Sequence, residues 1–162
     1  MGEIALTRVD ARLVHGQVAA RWIKFLSISK IVVVDDLVAS DTFMVELFKL
    51  ACPPNTVIEC LNTEDAVKSF NEDRFGEGKV FLLFKDIKSC AKAYEAGLHF
   101  DEVDLGNAPG GEDRIHCSET FCMSPDEYHL VKGLEDDGVK VYFRQVPDSP
   151  ETPLSSVAAK FK

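Results

Sequence analysis

The sequence predicts an α/β protein with an open, mostly parallel sheet and helices on both faces. Strand and helix patterns alternate from one end of the chain to the other, without a linker, a repeat or a low-complexity segment. Two apolar runs, residues 31–34 and 80–84, have the composition of strands that are buried on both faces. Ligands of open sheets bind beyond the carboxyl ends of the strands, so the active site is expected in the first βα loop.

The first half of the chain shows strand and helix patterns in turn. Pro53 and Pro54 stop an amphipathic helical pattern, and Asp35 is expected to cap the helix that follows the second strand. The expected elements, in order, are a strand at residues 4–8, a helix from 16 to about 26, a strand at 31–34, a helix at 41–50 and a strand at 56–61.

The second half carries clearer capping signals. Thr63 is expected to cap a helix, Gly97 to end the next one, and Ser124 to cap a third that has Pro125 at its first position. The expected elements are a helix from 63, a strand at 80–84, a helix at 87–96, a strand at 102–105, a short strand at 121–123, a helix from 124 to Gly138 and a strand at 140–146. A short terminal helix can follow in the proline-containing tail.

Composition limits the location and the partners of the chain. A length of 162 residues suits one domain. A net charge of −9 argues against nucleic acid, whose phosphates repel an acidic surface. No apolar run approaches the ~20 residues of a membrane-spanning helix, and no secretory signal is present, so a cytoplasmic protein is expected. The five cysteines have no paired spacing and suit reduced thiols.

The loop expected after the first strand concentrates ionisable groups. Arg8, Asp10, Arg12 and His15 lie within eight residues, directly before the helix that begins at Gly16. A neutral imidazole accepts a phosphoryl group without a metal ion, and guanidinium groups can hold phosphoryl oxygens in bidentate fashion. Free N–H groups at the helix start add donors, and Asp10 could fix the His15 tautomer by accepting a hydrogen bond. This pattern suggests phosphoryl transfer through His15.

The same residues also have an interpretation without catalysis. A single histidine in a loop is commonly solvated, and Arg8 and Arg12 are equally explained as surface charges that pair with acids. A noncatalytic α/β domain that binds a small anion or a partner protein through this loop is therefore the alternative function. Covalent, acid-labile phosphate on a histidine would distinguish the two.

Residues 8–22, RVDARLVHGQVAARW, resemble the signature of the IIB subunits of the mannose–fructose–sorbose family of the bacterial phosphotransferase system (PTS). The matching residues are Arg8, Asp10, Arg12, His15, Gly16, Gln17 and Trp22. The similarity extends to residues 31–36, 104–107, 138–139 and 146–147, and so covers essentially the whole chain. The resemblance implies that residues 1–162 are a single IIB domain of the mannose/sorbose type.

The resemblance further implies a reaction and its partners. In that family, this histidine accepts a phosphoryl group from the phosphohistidine of a IIA protein. It then passes the group to a sugar bound by the membrane IIC and IID subunits. By position, His15 is the phosphoacceptor, supported by Arg12, Asp10 and Arg8. The implied protein is a cytoplasmic phosphotransferase, peripherally associated with the permease, without a cofactor, a metal or a nucleic-acid partner, and compatible with a homo-oligomer. A hexose or an amino sugar is the favoured substrate.

Several other features have ordinary structural interpretations. The glycine-rich segment 106–111 matches neither a dinucleotide-binding fingerprint nor a P-loop, and it predicts a turn beside the pocket that includes Asn107. Lys85, at the end of the strand 80–84, is expected to add positive charge to the pocket rim. A zinc site is disfavoured because its candidate residues fit no standard spacing; these are His116, Cys117, Cys122 and His129. Helical spacing predicts core positions for Trp22, Phe25 and Leu26.

Overall fold

The computed structural model describes all of residues 1–162. The strands are β1 Glu3–Asp10, β2 Lys30–Val34, β3 Val57–Leu61, β4 Lys79–Phe84, β5 Glu102–Asn107, β6 Ile115–Ser118, β7 Phe121–Met123, β8 Lys140–Phe143 and β9 Thr152–Pro153. The α-helices are α1 Gly16–Leu26, α2 Asp36–Ser40, α3 Thr42–Ala51, α4 Thr63–Asp73, α5 Ile87–Glu95 and α6 Pro125–Asp136, and a 3-10 helix spans Leu154–Phe161. No helix combines the length and the apolar character that crossing a membrane requires.

Seven strands form one sheet in the order β3-β2-β4-β1-β5-β8-β9, and β6 and β7 form a separate antiparallel pair. Every pair in the seven-stranded sheet is parallel except β8 with β9. The predicted open, mostly parallel sheet is therefore confirmed. β1 lies at its centre, so the loop that follows β1 emerges in the middle of the carboxyl edge of the sheet.

Side chains of the strands alternate between two apolar cores. Ile31 and Val33 of β2 pack in the core that contains residues of α1, α2 and α3, whereas Val32 and Val34 pack with α4, α5, α6 and the 3-10 helix. Successive residues of a strand point to opposite faces, so a continuous β-branched run fits only a strand that is covered on both sides. Helices on both faces are thus confirmed. The adjacent strands β1 and β4 lead to helices on opposite faces, which opens the crevice where ligands of such sheets bind.

Ser124 caps its helix and Gly97 follows the end of α5 as expected, Asp35 is a cap but of the additional helix α2, and the cap expected at Thr63 is wrong. The Asp35 carboxylate accepts from the N–H groups of Leu37 and Val38, both at 3.0 Å, and Ser124 forms a complete capping box with Glu127.

The helix α4 is instead capped by Asn62, whose side chain accepts from Asp65 N–H at 2.7 Å. Thr63, the expected cap, is the first helical residue and donates its N–H and hydroxyl to Asp36.

Two further elements differ from the expectation because aspartate side chains accept hydrogen bonds from backbone N–H groups at the ends of these elements. Asp35 caps α2, a short helix that periodicity did not indicate, and Asp41 caps α3 separately. β8 ends at Phe143, earlier than the expected residue 146, and the next N–H, of Arg144, donates to the Asp104 carboxylate at 2.9 Å.

Phe25 does not occupy the expected core position. Trp22 is buried, but Phe25 is 55% exposed and Leu26 is half-buried. The guanidinium of Arg144 lies over both rings, 5.5 Å from the centre of Trp22 and 5.7 Å from that of Phe25. Trp22 therefore packs in the core with the sheet, whereas Phe25 lies against Arg144 in the segment after β8.

Candidate functional site

The loop from β1 to α1 is held by its apolar residues and by backbone hydrogen bonds. Leu13 and Val14 are buried in the same core as α1. The N–H of Leu13 donates to the carbonyl of Asp10 at 2.9 Å, and the N–H of Ala11 donates to the carbonyl of Asn107 in β5 at 3.0 Å. Leu13 adopts a left-handed conformation, with φ of 56°. The loop is thus tied to the core immediately before His15.

His15 is the exposed N-cap residue of α1. Its backbone is extended, its carbonyl accepts from Ala19 N–H at 3.1 Å, and its side chain makes no capping hydrogen bond. Since no side chain caps α1, the N–H groups of its first turn stay available to a ligand. The first turn also contains no acidic residue. An anion bonded to the His15 ring would meet the positive end of the helix dipole.

Asp10 and Arg12 form a close pair in the same loop. Asp10 Oδ1 accepts from the backbone N–H of Arg12 at 2.9 Å and from its Nε at 3.2 Å, while Oδ2 accepts from Nη2 at 3.2 Å. Asp10 is 2% exposed, and the Arg12 side chain is 34% exposed. Of the five guanidinium N–H donors, the carboxylate engages one on Nε and one on Nη2. The edge of Arg12 formed by Nη1 and Nη2 is therefore open to an anion.

Arg8 is buried and is not a surface charge. Its side chain is 1% exposed, and Nη1 donates to Asp104 Oδ2 at 2.6 Å. The same guanidinium donates to the carbonyls of Arg144 and Gln145 at 2.8 and 2.9 Å, and Nη2 lies 3.3 Å from Asp10 Oδ2. The Arg8 guanidinium is therefore connected to the loop through its contact with the Asp10 carboxylate. It is not positioned to bind phosphoryl oxygens itself, which corrects the expectation that both arginines can do so.

Asp104 is the residue that sequence reasoning missed. It is fully buried between β1 and β8; Oδ2 accepts from Arg8, and Oδ1 accepts from the N–H of Arg144. Burial raises the pKa of Asp104 to about 6, against the opposing effect of Arg8. An aspartate between the apolar residues Val103 and Leu105 of a central strand was the available signal, because a buried carboxylate needs a cationic partner.

The remaining candidates lie around this centre. Lys85 is exposed and lines a cavity of about 350 Å³ whose wall also contains Ala11 and Ala108. Asn107 is the last residue of β5 rather than part of a turn, and its carbonyl holds Ala11. No three His, Cys, Asp or Glu side chains are grouped so that they could hold a metal ion.

The structure thus brings Arg8, Asp10 and Arg12 into one network and places His15 at the start of α1, three residues after Arg12. The hydrogen bonds of Asp10 go to the two arginines and not to the imidazole. The expected role of Asp10 in fixing the His15 tautomer is therefore not seen. Instead, Asp10 orients Arg12.

The fold and the site define an α/β protein with a loop that contains His15 and Arg12 at the carboxyl edge of its sheet. A family model described as "PTS system sorbose subfamily IIB component" matches residues 4–162. The chain therefore belongs to this family of IIB components of the phosphotransferase system. The resemblance seen in residues 8–22 is confirmed.

Individual relatives agree with the family match. The chain is 29% identical to the PTS system fructose-specific EIIB component of Bacillus subtilis, over 91% of this chain and 90% of the relative. It is 27% identical to the PTS system mannose-specific EIIAB component of Escherichia coli, covering 97% of this chain but spanning only about half, 49%, of that protein. The crystal structure of manxB from Thermoanaerobacter tengcongensis superposes with a TM-score of 0.92 at 33% identity, covering 99% of this chain and 98% of that one.

Proposed function

We propose that residues 1–162 act as one IIB domain that carries a phosphoryl group on His15. The donor is a phosphorylated IIA protein, and the acceptor is a sugar, a hexose or an amino sugar, bound by membrane IIC and IID subunits. The observation that carries the proposal is the exposed His15 at the uncapped start of α1, three residues after an arginine fixed by Asp10. Family membership supports the proposal, and so do relatives named for mannose, fructose and sorbose.

The proposed chemistry is two substitutions at phosphorus. In the first, a nitrogen of the neutral His15 ring attacks the phosphorus; the bond to the IIA histidine breaks, and the proton displaced from His15 ends on that histidine. In the second, a sugar hydroxyl oxygen attacks, the phosphorus–nitrogen bond breaks, and the hydroxyl proton ends on His15. Both steps move the same phosphoryl group from one nucleophile to another. No oxidation state changes, so no oxidant or reductant takes part.

Negative charge on the transferring group needs fixed donors. The open edge of Arg12 and the first-turn N–H groups of α1 are such donors, and neither has to break a hydrogen bond to serve. Peripheral association with the permease follows, because the acceptor sugar lies in membrane subunits.

The direct test is transfer from a phosphorylated IIA protein to the purified chain with a metal chelator present. One phosphoryl group per chain, bound covalently and lost in mild acid, is the expected result. Reversible binding of phosphate without a covalent product would instead favour the noncatalytic anion-binding domain.

The fork shape of Arg12 should matter more than its charge. Arg12→Lys keeps the charge but cannot contact Asp10 and a phosphoryl oxygen with separate edges, so transfer should slow about tenfold or more, roughly 1.4 kcal/mol of transition-state contact. Single-turnover transfer from phosphorylated IIA measures this. Arg21→Lys is the matched control, since Arg21 is an exposed arginine of α1 paired with Asp148. Equal rates in the Arg12 variant and the wild type would show that only net charge matters.

No cysteine should be needed for transfer. The first βα loop contains none, and burial raises the pKa of the thiols of Cys52, Cys60, Cys90 and Cys117, which disfavours a nucleophilic thiolate. A chain with Cys90→Ala and Ser at the other four positions should accept a phosphoryl group at the wild-type rate. The variant should lose some stability, because Cys90 is buried. A folded variant that no longer accepts phosphate would contradict the assignment to His15.

A further inference from the structure

Four charged side chains connect the interior of the sheet to the phosphoryl-carrying loop. Asp104 holds Arg8 at 2.6 Å, Arg8 lies 3.3 Å from Asp10, and Asp10 holds Arg12 through two guanidinium nitrogens at 3.2 Å. Along this chain the exposure rises from 0% at Asp104 to 34% at Arg12. Of these four residues, the proposed reaction uses only Arg12 to contact the phosphoryl group. It assigns no role to the buried pair of Asp104 and Arg8.

The burial of Asp104 and Arg8 needs a reason beyond stability. A buried ion pair is weak evidence for stability, because desolvation offsets much of the attraction and apolar residues of similar size often fold as well. This pair is unusually specific in its connections. The Arg8 guanidinium also bonds two carbonyls of the segment after β8, so three parts of the chain meet at one side chain. Such an arrangement fixes the direction of a side chain.

Gly106 supplies the space that this guanidinium occupies. A Cβ atom on Gly106 would lie 2.1 Å from Arg8 Cζ and 2.4 and 2.5 Å from its two terminal nitrogens. Gly106 lies in β5 where the register with β1 shifts, and it has no positive φ, so close approach and not a left-handed backbone requires glycine here. Any larger residue would displace Arg8 from Asp104 or from Asp10.

We propose that Asp104 and Gly106 are positioning residues for phosphoryl transfer. Together they fix the Arg8 guanidinium, which holds Asp10 and, through Asp10, the open edge of Arg12. This inference rests on the proposed function, since it assigns a purpose to the orientation of Arg12. Neither residue contacts the reacting atoms. Each acts through a chain of ion pairs.

The first test replaces the Asp104 carboxylate by an amide of the same shape. A carboxylate offers one oxygen to Arg8 and another to the Arg144 N–H, whereas Asn has a single oxygen and must turn its NH₂ group toward one of these donors. In Asp104→Asn, the Arg8 guanidinium should shift. Asp10 should then lose the contact that fixes it, and it should hold Arg12 less firmly. In isotope-labelled protein, the chemical shift of the Arg12 Nε–H resonance should then change, and its relaxation should report a more mobile side chain. Transfer at saturating phosphorylated IIA should slow about tenfold or more, with KM for that protein unchanged.

Glu127→Gln is the matched control for this change. Glu127 is a buried carboxylate that accepts from Arg114 at 2.6 Å, the same distance as in the Arg8–Asp104 pair, but it is not connected to Asp10 or Arg12. It should destabilise the fold comparably and leave the Arg12 resonance and the transfer rate in place. If Glu127→Gln slows transfer as much as Asp104→Asn, general loss of stability explains the effect and the positioning role is overturned.

The second test leaves every charge in place. Gly106→Ala should move the Arg8 guanidinium by steric exclusion and should produce the same change at Arg12 Nε–H and the same loss of rate. Gly133→Ala is its control, because a Cβ atom at Gly133 meets nothing within 4 Å. An unchanged Arg12 resonance in both Asp104→Asn and Gly106→Ala would overturn the proposal. That resonance is measured without phosphate, so failure of the proposed function at His15 would be seen separately.

Discussion

The His15→Ala protein is expected to fold normally and to accept no phosphoryl group from phosphorylated IIA. His15 is exposed and its side chain makes no capping hydrogen bond, so its removal should cost little stability. The only imidazole in the loop is lost, and the carboxylate of Asp10 is buried and bonded to Arg8 and Arg12. Mass spectrometry of the intact chain, with circular dichroism to verify folding, measures both effects.

His99→Ala is the control for this loss. His99 is also exposed, but it precedes β5 and therefore lies at the opposite, amino edge of the sheet. This variant should accept one phosphoryl group at the wild-type rate, and the product should be a phosphoramidate, lost in mild acid and stable in base. Normal labelling of His15→Ala, or a phosphoprotein that survives acid, would refute the site.

The Arg8→Met protein is expected to lose about 3–5 kcal/mol of unfolding free energy, the usual cost of removing one partner of a buried ion pair. Methionine fills a similar length of space but leaves the carboxylates of Asp104 and Asp10, 0% and 2% exposed, without their shared cation. The carbonyls of Arg144 and Gln145 also lose their donor. Denaturant unfolding at pH 7 measures the difference.

The pH dependence of this loss tests its cause. Burial raises the pKa of Asp104 from 3.8 to about 6. Between these values the folded chain keeps a proton that the unfolded chain has released, so the contribution of this carboxyl to stability falls as the pH rises through the interval. Without Arg8 the raised pKa should rise further. The loss of unfolding free energy in Arg8→Met should therefore become smaller when the pH is lowered from about 7 to 5, since a protonated carboxyl needs no cation.

Arg21→Met provides the comparison at the surface. Arg21 pairs with Asp148, and the two side chains are 47% and 82% exposed, so water replaces the lost contact. Its removal should cost less than about 1 kcal/mol. A deficit of that small size in Arg8→Met, or one that grows on acidification, would show that Arg8 does not balance buried negative charge.

Most of the sheet was predictable because its evidence is local. A run of β-branched residues at 31–34 can be satisfied only by a strand covered on both faces, and the caps at Asp35 and Ser124 act on N–H groups two or three residues away. The helix α1 was predicted with its correct bounds. The cap of α4 was misplaced by one residue, since Asn62 and Thr63 are both good caps and only the contact of Thr63 with Asp36 decides between them.

The sequence by itself determined the alternating architecture and the loop that contains His15, Arg12 and Asp10, because these depend on spacing along the chain. Only the tertiary structure decided that Arg8 is buried, because its partner Asp104 lies 96 residues away. The two residues become opposite each other through the parallel register of β1 and β5. That register is set by side-chain packing on both faces of the sheet, which no local pattern specifies. The same register brings Gly106 against the Arg8 guanidinium and so makes an unremarkable glycine a steric requirement.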